Sequence, residues 1–220
     1  LSSKVVFDQS EFVKTSIETL LHEGGIGLFL TSALILIFLG SFRATLAVFF
    51  SIPISALAAF LLLQYFGSSI NSMVLGGLAL AFSRLIDNSV VVLENIYRRL
   101  EMGEDAVTAA REGGNEVALP VLAATLTTSI VFFPVTFLFG VSRYLFTALA
   151  LAVVLSLAAS YFVALTVVPL YCSRFIRSAS HGDSAHHPVG LFARFNLAFN
   201  RAFARFLRAY QRAAGFALAR

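Results

Sequence analysis

Five long runs of apolar residues, separated by short polar segments, set the pattern of this chain. A helix that crosses a bilayer needs about 20 mostly apolar residues. The runs are apolar on every side rather than along one stripe, which favours contact with lipid over burial in a soluble protein. Together they predict an all-α, polytopic membrane helix bundle with five transmembrane helices, at about residues 24–41, 44–66, 71–98, 117–139 and 144–171.

Prolines and glycine pairs interrupt this pattern. Pro53 lies inside the second predicted span, Pro120 lies near the start of the fourth, and Pro134 lies inside the fourth. Hydroxyl side chains and neighbouring helices can satisfy the backbone groups that such prolines free. The glycine pairs at 24–25 and 113–114 are interpreted simply as positions where helices begin or end.

The polar segments divide the chain into regions. Residues 1–23 form a lead-in with an amphipathic helix, whose apolar positions are Phe12, Ile17, Leu20 and Leu21. Residues 24–177 hold the five spans, and residues 178–188 form a flexible linker that contains His181, His186 and His187. Because the chain begins at Leu1 within a polar segment, we interpret it as part of a longer protein.

Composition agrees with a membrane protein. Charged residues make up 13% of the chain, against roughly 25% in an average soluble domain, and the mean hydropathy is +0.85. Cys172 is the single cysteine, so no internal disulfide can form. The sequence has no CxxC or HExxH metal-binding spacing, nucleophile–base pairing or phosphate loop, so we predict neither a cofactor nor an enzyme.

Basic residues in the connecting segments predict the orientation of the bundle. One side holds six of them, namely Arg43, Arg98, Arg99, Arg111, Arg174 and Arg177, and the other side holds Lys4, Lys14 and Arg143. Cytoplasmic loops carry the excess of Lys and Arg, so the first set is expected in the cytoplasm. The amino end and the turns at residues 67–69 and 140–142 are then expected outside.

A second pattern, with helical spacing, marks residues 189–220. Aromatic side chains recur every three or four residues, at Phe192, Phe195, Phe199, Phe203, Phe206 and Tyr210. The opposite face carries Arg194, Arg201, Arg205, Arg208 and Arg212. This arrangement predicts a C-terminal amphipathic interfacial helix, with aromatics in the acyl boundary and arginines on anionic headgroups. The alternative is a helix docked on another protein domain. No nucleic-acid-binding fold accompanies the basic face.

Asp87 is the candidate functional residue, because it lies in the middle of the third apolar run. A carboxylate at the bilayer centre costs about 2.5–3.5 kcal/mol on insertion scales, and such residues usually mark proton relays or ion paths. Helical spacing predicts a shared face, expected to point into a bundle, at Gly76, Leu80, Ser83, Asp87 and Glu94. The functional interpretation is a proton carrier, and the alternative is a static pair of Asp87 with Arg84, one turn earlier.

Neighbouring polar residues extend this hypothesis. Asn88 is a neutral hydrogen-bonding group beside Asp87, and Glu94 is a candidate gating or packing residue one turn from Arg98. Hydroxyl groups on the fourth span could continue a hydrogen-bonded path or could join helices to each other. They belong to Thr125, Thr127, Thr128 and Ser129.

Residues 77–96 resemble the fourth-span signature of resistance-nodulation-division (RND) efflux permeases, in the branch that exports hydrophobic and amphiphilic compounds. Residues 42–46 and 67–71 resemble the turns before and after the third span of that family, and residues 103–120 resemble the connection to its fifth span. The resemblance implies spans two to six of about twelve, with residues 1–23 ending a periplasmic porter region. It also implies proton antiport, a homotrimer, a periplasmic adaptor, an outer-membrane channel and a location in the bacterial inner membrane.

Two departures from the family pattern are notable. The family's drug exporters carry two adjacent acids where this chain has Asp87 and Asn88, so only Asp87 carries over as a protonation site. Arg84 stands where the family has an apolar residue, and the family's basic partner lies in a second half that residues 1–220 do not include. Arg84 is therefore expected to supply part of that positive charge.

Two other functions compete with drug export. A metal-ion exporter of the same family would need soft ligands, and Met73, Met102 and Cys172 are few and scattered. An inactive remnant or a membrane scaffold is the alternative from a different class.

Overall fold

Five long helices form the fold, in a computed structural model that describes residues 9–69 and 71–176, together with Phe203, Arg205, Arg208 and Tyr210–Arg212. The helices are α1 (Gln9–Leu39), α2 (Phe42–Tyr65), α3 (Ser72–Glu101), α4 (Ala106–Ile130) and α5 (Gly140–Phe175). A short 3₁₀ helix, Phe133–Phe137, links α4 to α5. All five long helices have the length and composition to cross a membrane. The all-α, five-span prediction is therefore confirmed.

Capping residues and turns set where the helices begin. The two-residue connection between α1 and α2 places Gly40 at φ 62°, a left-handed conformation that glycine adopts without steric cost. The Oγ of Ser41 then accepts a hydrogen bond from the Ala44 N–H at 3.4 Å. At the start of α3, Oδ1 of Asn71 accepts one from the Val74 N–H at 2.9 Å. Such side chains satisfy amide groups that a helix start leaves open.

Helix α3 lies at the centre of the bundle and packs against α1, α2, α4 and α5. Close approach depends on glycines. A Cβ at Gly77 would meet the carbonyl oxygen of Leu149 on α5 at 2.6 Å, and one at Gly113 would meet Cα of Ile96 at 2.9 Å. Small residues at such contacts let helices pack closely inside a membrane.

Neither glycine pair marks the end of a helix, which corrects the interpretation made from the sequence. The pair at 24–25 lies inside α1, which runs without a break through both the lead-in and the first predicted span. The pair at 113–114 lies inside α4, which begins at Ala106 rather than near residue 117. Asp105 caps α4, since its carboxylate accepts a hydrogen bond from the Val107 N–H at 3.2 Å.

The fourth span also ends earlier than predicted. Helix α4 ends at Ile130 and Pro134 belongs to the 3₁₀ helix, while the apolar stretch that can cross a membrane, Ala106–Val135, still includes Pro134. A proline ring clashes with the carbonyl group four residues earlier, which here is that of Ile130. Pro53, Pro120 and Pro169 do lie inside helices.

The predicted linker at residues 178–188 and most of the predicted interfacial helix lie outside the described residues. Of its aromatic and basic positions, Phe203, Arg205, Arg208, Tyr210 and Arg212 are described, and all five are exposed. Phe203 packs edge-on against Phe38 in the last turn of α1, with ring centroids 5.6 Å apart. This contact places Phe203 at the end of α1 that precedes Arg43. The membrane-surface location of the tail stays a prediction.

Candidate functional site

Asp87 lies near the middle of α3, about 20 Å along the helix axis from either end at 1.5 Å per residue. One side of α3 is buried by the other helices through residues such as Leu78, Leu85 and Val92. The opposite side is exposed at Gly76, Leu80, Arg84, Asp87, Val91 and Glu94. We call these six residues the uncovered face of α3.

The uncovered face bears on one prediction, which stays a prediction. The face that carries Asp87 was expected to point into a bundle, but α1, α2, α4 and α5 do not enclose it. Ser83 lies on α3, although its side chain is outside the described part of the structure. An ionised carboxylate at this depth is costly against lipid. Asp87 therefore needs water or another polypeptide beside it.

Two cavities flank Asp87 and provide room for water. The first lies between α1 and α3, has a volume of about 260 Å³ and is lined by residues that include Glu23, Gly27, Thr31 and Asp87. The second lies between α3, α4 and α5, has a volume of about 300 Å³ and again includes Asp87. Since a water molecule occupies roughly 30 Å³ in the liquid, each cavity can hold several.

Arg84 shares the second cavity with Asp87. The predicted proximity of Arg84 to Asp87 is therefore limited to lining the same cavity. Among the described residues, the ion pairs within 4.0 Å do not include one between Arg84 and Asp87. The described residues therefore do not show Asp87 and Arg84 as a static buried ion pair.

Asn88 faces α5 rather than Asp87. Its Nδ2 donates a hydrogen bond to Oγ of Ser160 at 3.2 Å, and Ser160 in turn donates to the Leu85 carbonyl oxygen at 3.0 Å. Ser160 is fully buried, so this connection fixes the rotation of α3 against α5. The rotation directs Asp87 to the side that the bundle leaves open.

The hydroxyl groups of α4 bond to their own helix. Thr125, Thr127, Thr128 and Ser129 each donate to the carbonyl oxygen four residues earlier, at 2.7–3.0 Å. In the described residues they do not join α4 to another helix, and a hydrogen-bonded path through them stays a prediction. Thr125 and Thr128 nevertheless line the second cavity, where their oxygens can still accept a hydrogen bond from water.

Sequence reasoning missed a polar cluster at the predicted cytoplasmic end of α3. Nδ2 of Asn95 donates to the Gly113 carbonyl oxygen at 2.8 Å and to Oε2 of Glu116 at 3.0 Å. Arg98 and Arg99 form ion pairs with Glu116 at 3.1 and 3.2 Å. The cluster joins α3 to α4. Its signal in the sequence was an amide, Asn95, on the apolar side of α3.

Glu94, one turn from Arg98 in the sequence, is therefore not the residue that Arg98 binds. Arg98 pairs with Glu116 on α4, while Glu94 belongs to the uncovered face. A gating or packing role for Glu94 stays a prediction.

Soft metal ligands are dispersed. Met73 lies in the first turn of α3, Met102 follows its last turn, and Cys172 is buried on α5. Within the described residues, no group of three or more His, Cys, Asp or Glu side chains could hold a metal ion.

Comparison with known proteins identifies the family. The sequence profile described as "AcrB/AcrD/AcrF family" matches residues 1–220. Swarming motility protein SwrC of Bacillus subtilis is 34% identical over 178 residues, which cover 80% of this chain and 17% of the relative. The toluene efflux pump membrane transporter TtgE of Pseudomonas putida is 32% identical over 203 residues, covering 92% of this chain and 19% of that protein.

A more distant relative is the multidrug resistance protein MdtF of Escherichia coli, 28% identical over 198 residues, or 89% of this chain and 19% of the relative. The chain thus spans less than a fifth of the length of the curated relatives it matches. The family profile matches the whole chain, and five helices are long enough to cross a membrane. The chain therefore belongs to the AcrB/AcrD/AcrF family of RND proteins and is a multi-pass protein of the bacterial inner membrane.

Proposed function

We propose that this chain is part of an RND permease that exports hydrophobic or amphiphilic compounds in exchange for protons, with Asp87 as the proton carrier. The observation that carries the proposal is the placement of Asp87. Its carboxyl group lies in mid-span, on a face that the other four helices leave open, and it borders two cavities large enough for water. Two relatives named as a toluene efflux pump and a multidrug resistance protein support the substrate class.

The proposal includes the partners of a complete permease. A second half of the protein would cover the uncovered face of α3 and would supply a basic side chain to Asp87. Assembly as a homotrimer, with a periplasmic adaptor and an outer-membrane channel, follows from the family resemblance. The lipid bilayer surrounds the remaining apolar surface.

Protonation of Asp87 would change the energy of this arrangement. An ionised Asp87 attracts a basic partner, whereas a protonated Asp87 loses that attraction and is far less costly in an apolar surrounding. A ligand shifts a conformational equilibrium only by its difference in affinity for the two states. The proton is such a ligand here, because it binds the state in which the partner has moved away.

The test is the substitution Asp87→Asn, which keeps the shape and removes the titration. The control is Glu101→Gln at the end of the same helix, which makes the same change of charge at an exposed position. Export of ethidium, Nile red and toluene is measured in cells that express the complete reading frame. We expect Asp87→Asn to lower export to that of cells without the protein, at unchanged expression, and Glu101→Gln to retain it.

Two outcomes would contradict the proposal. Retained export in Asp87→Asn would remove Asp87 from the mechanism. Failure of the wild-type protein to export any of the three compounds would favour a remnant, a scaffold or a metal-ion exporter.

A further inference from the structure

A second carboxylate borders the same water-sized cavity as Asp87. The cavity between α1 and α3 is lined by Glu23 of α1 as well as by Asp87. Of the residues that line the two cavities beside Asp87, the ionisable ones are Glu23, Arg84 and Asp87. Glu23 lies inside α1, whose membrane-length stretch is Val13–Leu39, and it stands just before the first predicted span of residues 24–41.

The packing of α1 on α3 gives the relative heights of Glu23 and Asp87 along the two helices. A Cβ at Gly24 would lie 2.6 Å from the Phe82 ring, and one at Gly27 would lie 3.5 Å from Cδ1 of Ile86. Glu23 is therefore level with the turn around Phe82, roughly 8 Å outward of Asp87 at 1.5 Å per residue. This offset is between the backbone positions of the two residues along the helix axis.

Small residues create the space between the two carboxylates. Gly24 and Gly27 present no side chain to the cavity, and Thr31 lines its inner end with a hydroxyl group. A volume of about 260 Å³ holds several water molecules at roughly 30 Å³ each. Two or three of them would bridge roughly 8 Å.

We propose that Glu23 is the outer proton acceptor of this protein, which passes protons through water in the α1–α3 cavity to Asp87. The proposal rests on the function proposed above. In each transfer, an O–H bond to the Glu23 carboxyl breaks and one to the Asp87 carboxylate forms, with water molecules accepting and donating a proton in between. Glu23 then regains a proton from the outer solution. No electron transfer or further reactant is required.

The proposal has a consequence for pH dependence. Protons are scarce at about pH 8 and a hundredfold more abundant at about pH 6, while a free Glu ionises near pH 4.3. A carboxylate that collects protons should matter most where they are scarce. A residue with a merely structural role would alter export equally at every pH.

The test compares Glu23→Gln with Glu18→Gln in cells that express the complete reading frame. Glu18 is an exposed residue of the same helix and does not line the α1–α3 cavity. The readout is the rate of export of whichever of ethidium, Nile red and toluene the wild type exports fastest, at outer pH of about 6 and about 8. Glu23→Asp, which restores a carboxylate, and Asp87→Asn are measured in parallel.

We expect Glu23→Gln to lower export about tenfold at about pH 8 and little at about pH 6. This loss is smaller than the 10²–10⁴-fold typical of a direct acid–base group, because water can still carry protons. Glu18→Gln should match the wild type, and Glu23→Asp should restore most of the rate. Gly27→Val, which narrows the cavity without changing either carboxylate, should also slow export at about pH 8.

The outcomes separate the two proposals. Equal rates in Glu23→Gln and Glu18→Gln at both pH values, with export lost in Asp87→Asn, would overturn the role of Glu23 alone. An equal fractional loss at both pH values would assign Glu23 a structural role and would overturn it as well. Export retained in Asp87→Asn would overturn the proposed function first, and with it the basis of this inference.

Discussion

At the scale of single residues, Arg84 is the departure with the clearest consequence. Its guanidinium cannot lose its proton, and it shares a cavity with Asp87 at a depth where an unpaired charge is costly. If Arg84 supplies part of the positive charge that balances Asp87, then Asp87→Asn leaves that charge unbalanced. Removing both charges should relieve the cost.

The double variant Arg84→Leu/Asp87→Asn is therefore expected to be no less stable than Asp87→Asn alone. A double-mutant cycle on the thermal unfolding midpoint measures the coupling, for which 0.5–3 kcal/mol is typical of residues in contact. Arg84→Leu alone completes the cycle. If the stability losses of the two single variants simply add in the double variant, the two charges do not balance each other.

Residue identity was easier to predict than residue environment. An acid inside a long apolar run is conspicuous in any sequence, and so Asp87 could be singled out without a structure. The partner of Asn88, Ser160, is far away in the chain, and so is the partner of Arg98, Glu116. Pairings of this kind depend on how helices are rotated against one another, which local spacing does not determine.

At the scale of elements, the α3–α4 contact is sensitive to added volume. A Cβ at Gly113 would lie 2.9 Å from Cα of Ile96, a backbone atom that cannot rotate away, whereas one at Gly114 would meet only Pro169 at 3.4 Å. Both substitutions by alanine favour the helix by propensity. Their difference therefore reports the packing of α3 on α4.

We expect Gly113→Ala to destabilise the folded protein by about 1–3 kcal/mol, as overpacked cores do, and Gly114→Ala to be close to neutral. Thermal unfolding in detergent, followed by size-exclusion chromatography, measures both variants. Gly113→Ala should also weaken the hydrogen bond from Asn95 to the Gly113 carbonyl oxygen. Equal stability of the two variants would show that α4 can shift away from α3 at no cost.

The predicted ends of the fourth helix differ from the observed ones for local reasons. Charged residues between 106 and 116 predict a start of the apolar span near residue 117, although Asp105 caps α4 and Ala106, Ala109 and Ala110 form its buried side. Pro134 does lie in the apolar stretch Ala106–Val135, but the α-helix itself ends at Ile130, because a proline ring clashes with the carbonyl group four residues earlier. The existence of five helices was secure because each needs only length and composition.

At the scale of the whole molecule, the bundle is asymmetric. Helix α3 is the central element, yet one of its sides carries Arg84, Asp87 and Glu94 without cover from the other four helices. Charged and small residues on one side of a membrane helix are typical of a surface that meets protein or water, not lipid. The chain also spans less than a fifth of its curated relatives. Both observations favour a covering partner from the rest of a complete permease.

This partner can be detected without knowing its sequence. Val91 on the uncovered face and Leu61 on α2 are both exposed, at 43% and 66%. A spin label is placed at Val91→Cys or Leu61→Cys in the complete protein, with Cys172→Ser in both to remove the buried native thiol. In liposomes, the label at position 61 should be mobile and accessible to oxygen dissolved in lipid. The label at position 91 should be restricted and protected if the proposed second half of the permease covers that face. Equal mobility and oxygen access at both positions would mean that Asp87 faces the membrane, and the proposed proton site would then lack the partner on which its coupling depends.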